Sequence, residues 1–133
     1  MLHIPKGSFA DVALSLLRVV SGSLFMQHGA QKLFGVLGRE EAVEVVSLIG
    51  LAGVLELFGG LAIVLGLYTR PVAFILSGEM AAAYFMAHFP RAFWPIMNRG
   101  ELPILYCFLF LFFFAVGGGS YSLDGLVRKK VAG

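Results

Sequence analysis

Residues 45–67 read VVSLIGLAGVLELFGGLAIVLGL, a run of 23 residues in which Glu56 is the single charged side chain. A membrane-spanning helix needs about 20 mostly apolar residues, so this run is long enough to cross a bilayer. Strands of an outer-membrane barrel are only about 10 residues long and alternate apolar with polar side chains. No such alternation occurs here, and the stretch therefore predicts a transmembrane α-helix.

Three further apolar segments accompany this run, at residues 9–34, 70–89 and 102–119. The last one has Pro103 where a first helical turn tolerates proline, and it ends in three consecutive glycines, which suit a helix terminus. Four segments of this kind predict an all-α membrane protein, an antiparallel bundle of four transmembrane helices. Residues 1–133 are expected to form this single domain.

The composition supports the same class of protein. Of the 133 residues 59% are apolar and only 14% are charged, whereas soluble domains carry roughly 25% charged residues. A net charge of +2 and one cysteine, Cys107, argue against a nucleic-acid-binding module and a disulfide scaffold. A cleaved signal peptide is an alternative interpretation of the N-terminal run, but Arg18 inside it argues against cleavage.

The flanking charges predict the orientation. Five Lys or Arg residues lie on the side that holds both termini and four lie on the other side, so the positive-inside rule weakly favours cytoplasmic termini. Arg128, Lys129 and Lys130 follow the last span and suit either contact with anionic headgroups or a solvated tail.

Three ionisable residues are predicted to lie within the spans, where a charge costs roughly 3 kcal/mol or more. From a rise of about 1.5 Å per residue, Arg18, Glu56 and Glu79 are expected at a similar depth, roughly 12–16 Å below the terminal side. The spacing therefore predicts a buried cluster in which Arg18 bridges Glu56 and Glu79. Such a cluster either handles protons or binds a ligand, or it only fixes the register of the helices.

A second polar group is predicted near the opposite membrane face. Its residues are His28, Lys32, His88, Trp94, Asn98 and Glu101. Histidines and cations among aromatic side chains suit a planar amphipathic ligand such as a quinone, while the alternative is an aromatic belt with interfacial cations. Two histidines without a ligand spacing pattern do not predict a metal site.

The order of several short motifs resembles the DoxX family of small membrane proteins. The matching residues are Leu17-Arg18, Gly22, Phe25, His28-Gly29, Lys32–Gly35, Glu56, Gly59–Leu61, Leu65–Arg70, Met80, Ala83, His88, Asn98–Glu101 and Ser122–Asp124. One departure is Gly117–Gly119, where many members have a proline among the glycines.

The resemblance implies a four-helix protein of the bacterial inner membrane. Family members are associated with quinone-linked thiosulfate oxidation and with membrane oxidoreductase complexes that include a sulfurtransferase and a superoxide dismutase, and many have no assigned activity. The resemblance implies roles for Arg18, His28, Lys32, Glu56, Glu79 and Glu101. The expected partners are the lipid bilayer, subunits of a redox complex and further copies of the chain.

Three functions are compatible with these patterns. The first is a quinone-binding subunit of a membrane redox system, in which Arg18, Glu56 and Glu79 carry the chemistry. The second is a non-catalytic anchor or assembly protein with a structural charged core. The third is a pathway for protons or small solutes, which is disfavoured because no span is broken at its centre and no inverted repeat occurs.

Overall fold

The computed structural model describes residues 3–132, and every regular element within that range is a helix. In chain order the helices are α1 (Phe9–Phe34), α2 (Leu48–Leu65), α3 (Thr69–Arg91), α4 (Pro95–Asn98), α5 (Glu101–Val116) and α6 (Leu123–Ala132). Helices α2 and α3 each contain one wide π-helical turn, Leu55–Gly59 and Tyr84–His88 respectively.

Three helices in the described part of the chain, α1, α2 and α3, are long and apolar enough to cross a membrane. Helix α5 is the most apolar of the remaining helices, but it has only 16 residues. It is about 24 Å long, somewhat less than the roughly 30 Å of a bilayer core. The structure thus supports an all-helical membrane fold, while the four-span antiparallel bundle stays a prediction.

Local sequence explains where α1 and α2 begin and end. Ser8 and Ser47 cap their N-termini, because each hydroxyl accepts a hydrogen bond from a backbone N–H in the first turn. Each helix ends at a glycine in the left-handed conformation, Gly35 with φ 60° and Gly66 with φ 67°, a conformation that other residues adopt at a cost.

Helices α1 and α2 approach each other closely because glycines face the contact. A Cβ atom on Gly29 would lie 2.7 Å from the Gly53 carbonyl oxygen and closer still to the Leu57 nitrogen. Gly22 and Gly60 make a similar approach along the same pair of helices. Small residues at these positions let two membrane helices pack backbone against backbone, which brings their polar side chains within reach of each other.

Aromatic side chains of α1 and α5 fill the centre of the molecule. Phe25 contacts Phe110 edge to face with ring centroids 4.8 Å apart, and Tyr106 stacks on Phe110 at 5.6 Å. Many other large apolar side chains point outward, among them Phe58, Phe74, Phe85 and Phe108. An apolar exterior of this extent fits lipid and would aggregate in water.

Candidate ligand-binding cavity

Arg18 is buried, but it does not bridge Glu56 and Glu79 as the spacing predicted. Its guanidinium donates to the carbonyl oxygens at the C-terminal end of α2, to Ile63 at 2.6 Å and to Val64. It also donates to the Tyr121 carbonyl at 2.7 Å. A cation at this position interacts favourably with the carbonyl end of α2, so Arg18 joins that end to the segment before α6 rather than forming the expected cluster.

The direction of helical side chains explains this correction. Long side chains on a helix lean toward its N-terminus. Arg18 therefore extends toward the terminal side of the molecule, whereas Lys32, near the C-terminal end of α1, extends back toward the middle of its helix. Depths predicted from Cα positions alone ignore the direction of the side chain. Because Lys32 extends toward the middle of its helix and Arg18 extends away from it, Lys32 is the basic partner of Glu56.

Other charged residues tie the terminal side together. The Asp124 carboxylate accepts hydrogen bonds from the Tyr68 and Thr69 amides at 2.8 Å each, which caps the start of α3. Buried Asp11 accepts hydrogen bonds from the amide and hydroxyl of Ser120.

Arg70 also joins two segments on this side, because it donates hydrogen bonds from the start of α3 to backbone carbonyls at the end of α5. Sequence reasoning assigned none of these contacts, because their partners are backbone atoms more than forty residues away in the chain.

Lys32 and Glu56 form an ion pair in the interior, with 2.5 Å between Nζ and Oε2. The Glu56 side chain is only 5% exposed and that of Lys32 is 22% exposed. Glu79 lies near enough for the charges of both residues to act on it. Both of its oxygens are buried, and no N–H or O–H among residues 3–132 donates to either of them.

These three residues line a cavity of about 750 Å³ between α1, α2, α3 and α5. Its apolar walls include Phe25, Leu55, Met80, Met86 and Tyr106. The other ionisable residues that line it are His28, Arg39, His88, Arg91 and Arg99. The two predicted polar groups thus share one cavity, which contains Glu56 and Glu79 of the first and His28, Lys32 and His88 of the second.

Both π-helical turns contribute to this cavity, Glu56 from the first and His88 from the second. Regular helical geometry would place His88 on the side of α3 opposite Glu79, nine residues earlier. The wider turn changes that register, and both side chains line the cavity. Turns of this kind inside α-helices often occur at functional sites.

Three predicted ligand-binding residues lie outside the cavity lining. Trp94 is 63% exposed and packs edge to face on Phe93. Glu101 is exposed at the start of α5.

The third, Asn98, is fully buried and braces the chain between α3 and α5. Its side-chain amide donates to the Ala92 carbonyl at 2.9 Å, and its side-chain oxygen accepts from the Gly100 amide at 2.8 Å. His88 Nδ1 lies 3.0 Å from the Asn98 carbonyl oxygen. Because a carbonyl only accepts, this nitrogen carries the proton.

Tyr106 and Arg39 line the cavity although sequence reasoning did not select them. Tyr106 lies five positions after Glu101 on a helix that is otherwise apolar. No polar periodicity therefore indicated which side of α5 faces the cavity. Arg39 belongs to the connection between α1 and α2, whose path hydropathy does not determine.

The apolar helices and the cavity between them define a small membrane protein with a polar, ligand-sized interior. The chain belongs to the DoxX family, which matches residues 13–89. An uncharacterized protein of Haemophilus influenzae is 43% identical over 124 residues, covering 88% of this chain and 92% of that protein. The inner membrane protein YqjF of Escherichia coli is 32% identical over 126 residues, covering 90% of this chain and 95% of YqjF. No solved structure matches the chain.

Proposed function

We propose that the protein resides in the bacterial inner membrane and binds a quinone in its cavity as part of a redox system. The observation that carries this proposal is Glu79, a buried carboxyl group that receives no hydrogen bond from any N–H group of residues 3–132, beside an ion pair in a ligand-sized cavity. The printed name of the Escherichia coli relative supports the location. The basic residues of α6 support cytoplasmic termini.

The cavity suits the size and polarity of this ligand class. Ligand pockets commonly measure about 300–1,000 Å³ and combine apolar walls with a few polar groups, and the cavity here is about 750 Å³. Apolar side chains would contact the ring of a bound quinone. Lys32, His28 and Tyr106 carry the N–H and O–H groups that its carbonyl oxygens require.

The carboxyl groups suit the chemistry as well. A bound quinone would supply two-electron redox chemistry that consumes or releases protons. Two adjacent carboxylates repel each other in a medium of low dielectric constant, and a proton held by one of them removes the repulsion. Glu79 is the residue positioned to hold that proton, because Glu56 is already paired with Lys32.

Quinone binding by the purified protein tests the proposal. We expect the lipid extract to contain quinone, and an added short-chain quinone to raise the melting temperature in detergent. His28→Ala should weaken binding by up to about tenfold through loss of one hydrogen bond. The matched control is His3→Ala, since His3 is exposed near the N-terminus. A quinone-free extract together with an unchanged melting temperature would refute the proposal.

A second candidate function is a membrane anchor or assembly subunit for other redox proteins. The observation that favours it is that Arg18 and Asp124 hydrogen-bond to backbone atoms of distant segments, as residues with a structural role do. Purification in mild detergent distinguishes the two functions. An anchor co-purifies with protein partners whose activity survives cavity substitutions such as Glu79→Gln, whereas a quinone-binding subunit loses activity.

A further inference from the structure

We propose that the mouth of the cavity binds the phosphate headgroup of an anionic membrane phospholipid. The inference is independent of quinone binding deeper in the cavity. Three arginines line the cavity, Arg39 from the connection after α1, Arg91 from the end of α3 and Arg99 from the turn before α5. All three are exposed, and they lie at or beyond the ends of the helices that line the cavity, so they mark the level of the membrane surface.

The charged residues that line this mouth are arginines, whereas Glu40, Glu41, Glu44 and Glu101, on the same side of the molecule, are exposed and lie outside the lining. Glu56 and Glu79 are the carboxylates that line the cavity in the described part of the chain. Glu56 is neutralised by Lys32, and both carboxyl groups belong to the helix interiors rather than to the helix ends. Arg91 and Arg99 form no salt bridge among residues 3–132, while Arg39 Nε donates to the Glu41 carbonyl at 2.9 Å. The Arg91 and Arg99 guanidinium groups are therefore available to one anion.

Two of the arginines are held in place by one buried side chain. Asn98 hydrogen-bonds to the Ala92 carbonyl, next to Arg91, and accepts from the Gly100 amide, next to Arg99. Arg99 itself has φ 59°, a left-handed conformation that is unfavourable for a side chain of this type. Backbone strain of this kind persists where the surroundings enforce it and is common at ligand sites.

The walls below the mouth indicate a lipid rather than a soluble anion. Leu48, Ile49, Leu51, Met86 and Leu102 line the cavity and are also exposed on the outside of the helices. Acyl chains can therefore lie against the same residues that lead up to the arginines. Guanidinium groups bind phosphate oxygens in a bidentate manner, and basic pockets between membrane helices bind lipid headgroups.

Competition between lipids tests the proposal directly. The purified protein is exchanged into detergent with equimolar phosphatidylglycerol and phosphatidylcholine, and bound lipid is measured by native mass spectrometry. We expect phosphatidylglycerol to be retained preferentially. Each arginine removed in Arg91→Gln and Arg99→Gln should reduce this preference about fivefold. Lys6→Gln is the matched control and should leave it unchanged, because Lys6 is exposed before α1 and does not line the cavity.

Two further arms separate the possible sources of the phosphate group. Asn98→Ala should weaken the preference although both arginines remain, because it releases the segments that carry them. Inorganic phosphate at millimolar concentration should not displace the lipid. Equal retention of the two lipids, a preference unaffected by Arg91→Gln and Arg99→Gln, or displacement by inorganic phosphate would overturn the proposal.

Discussion

Lys32 places its ammonium group 2.5 Å from Glu56 Oε2, although the two residues lie 24 positions apart on different helices. The contact depends on the backward lean of a helical lysine and on the glycine contacts that bring α1 and α2 together. The ion pair therefore depends on the close packing of α1 and α2, and it places both charged groups in the lining of the cavity.

Removing either partner of this ion pair should be costly, while removing both should not. Lys32→Met or Glu56→Leu alone leaves a buried charge without a partner, and we expect a loss of about 3–5 kcal/mol in the free energy of unfolding. The double variant should recover most of that loss. Denaturant unfolding in detergent measures the cycle, with Lys130→Met on α6 as the control. Additive losses in the double variant would contradict a direct interaction.

Glu79→Gln should leave stability unchanged or raise it slightly. No donor among residues 3–132 depends on the Glu79 oxygens, and a neutral glutamine matches the protonated carboxyl group proposed for Glu79 beside Glu56. The near-isosteric Glu56→Gln, in contrast, should lower the melting temperature because it breaks the pair with Lys32. Equal destabilisation by the two substitutions would assign Glu79 a structural role and weaken its proposed function in proton transfer.

Arg18→Gln should destabilise the fold without weakening ligand binding to the cavity. The guanidinium serves the carbonyls of Ile63, Val64 and Tyr121, and charge-assisted hydrogen bonds contribute about 1.5–3 kcal/mol each. We expect a loss of at least about 3 kcal/mol by denaturant unfolding. Quinone affinity, measured on the fraction that remains folded, should equal that of the unmodified protein. A selective loss of affinity would place Arg18 in the site after all.

Two glycine substitutions separate helix packing from helix propensity. Gly29→Ala introduces a Cβ that collides with the backbone of α2, and overpacking of this kind costs about 1–3 kcal/mol. It should also displace Lys32 from Glu56 and reduce ligand binding. Gly78→Ala is the control, because a Cβ there meets nothing within 4 Å. Thermal unfolding in detergent should show destabilisation for Gly29→Ala alone.

Both termini are expected to face the cytoplasm. A C-terminal fusion to green fluorescent protein should fluoresce, and a fusion to alkaline phosphatase at the same position should be inactive. The expected cause is the basic end of α6, since Lys and Arg near membrane spans are retained on the cytoplasmic side. Replacing Arg128, Lys129 and Lys130 with glutamine should weaken this bias. The opposite pair of reporter results would invert the proposed orientation.

The sequence predicted the apolar helices well because hydrophobic runs and terminal glycines are local signals. Residues 9–34 were expected as one helix and form α1, and the 45–67 run contains α2. The partners of the buried charges could not be obtained in this way. They depend on the direction in which the Arg18 and Lys32 side chains extend along α1. A depth calculated from the rise per residue does not include that direction.

The cavity itself was also beyond prediction. Two π-helical turns change which residues of α2 and α3 share a face, and periodicity at 100° per residue assumes that no such turn occurs. The role of Asn98 depends on bonds to Ala92 and Gly100 across a tight connection. Its predicted contact with a ligand stays a prediction, and in the structure its side chain joins the two ends of this connection.

The two ends of the molecule differ in how their helices are joined. On the terminal side, Asp11, Arg18, Arg70 and Asp124 hydrogen-bond directly to backbone atoms of distant segments. On the cavity side, α1 and α2 are joined by the ion pair between Lys32 and Glu56 and by the close packing of Gly29 on Gly53. We therefore expect a ligand that widens the cavity to move α1 and α2 apart at the cavity end, while the hydrogen bonds of the terminal side stay in place.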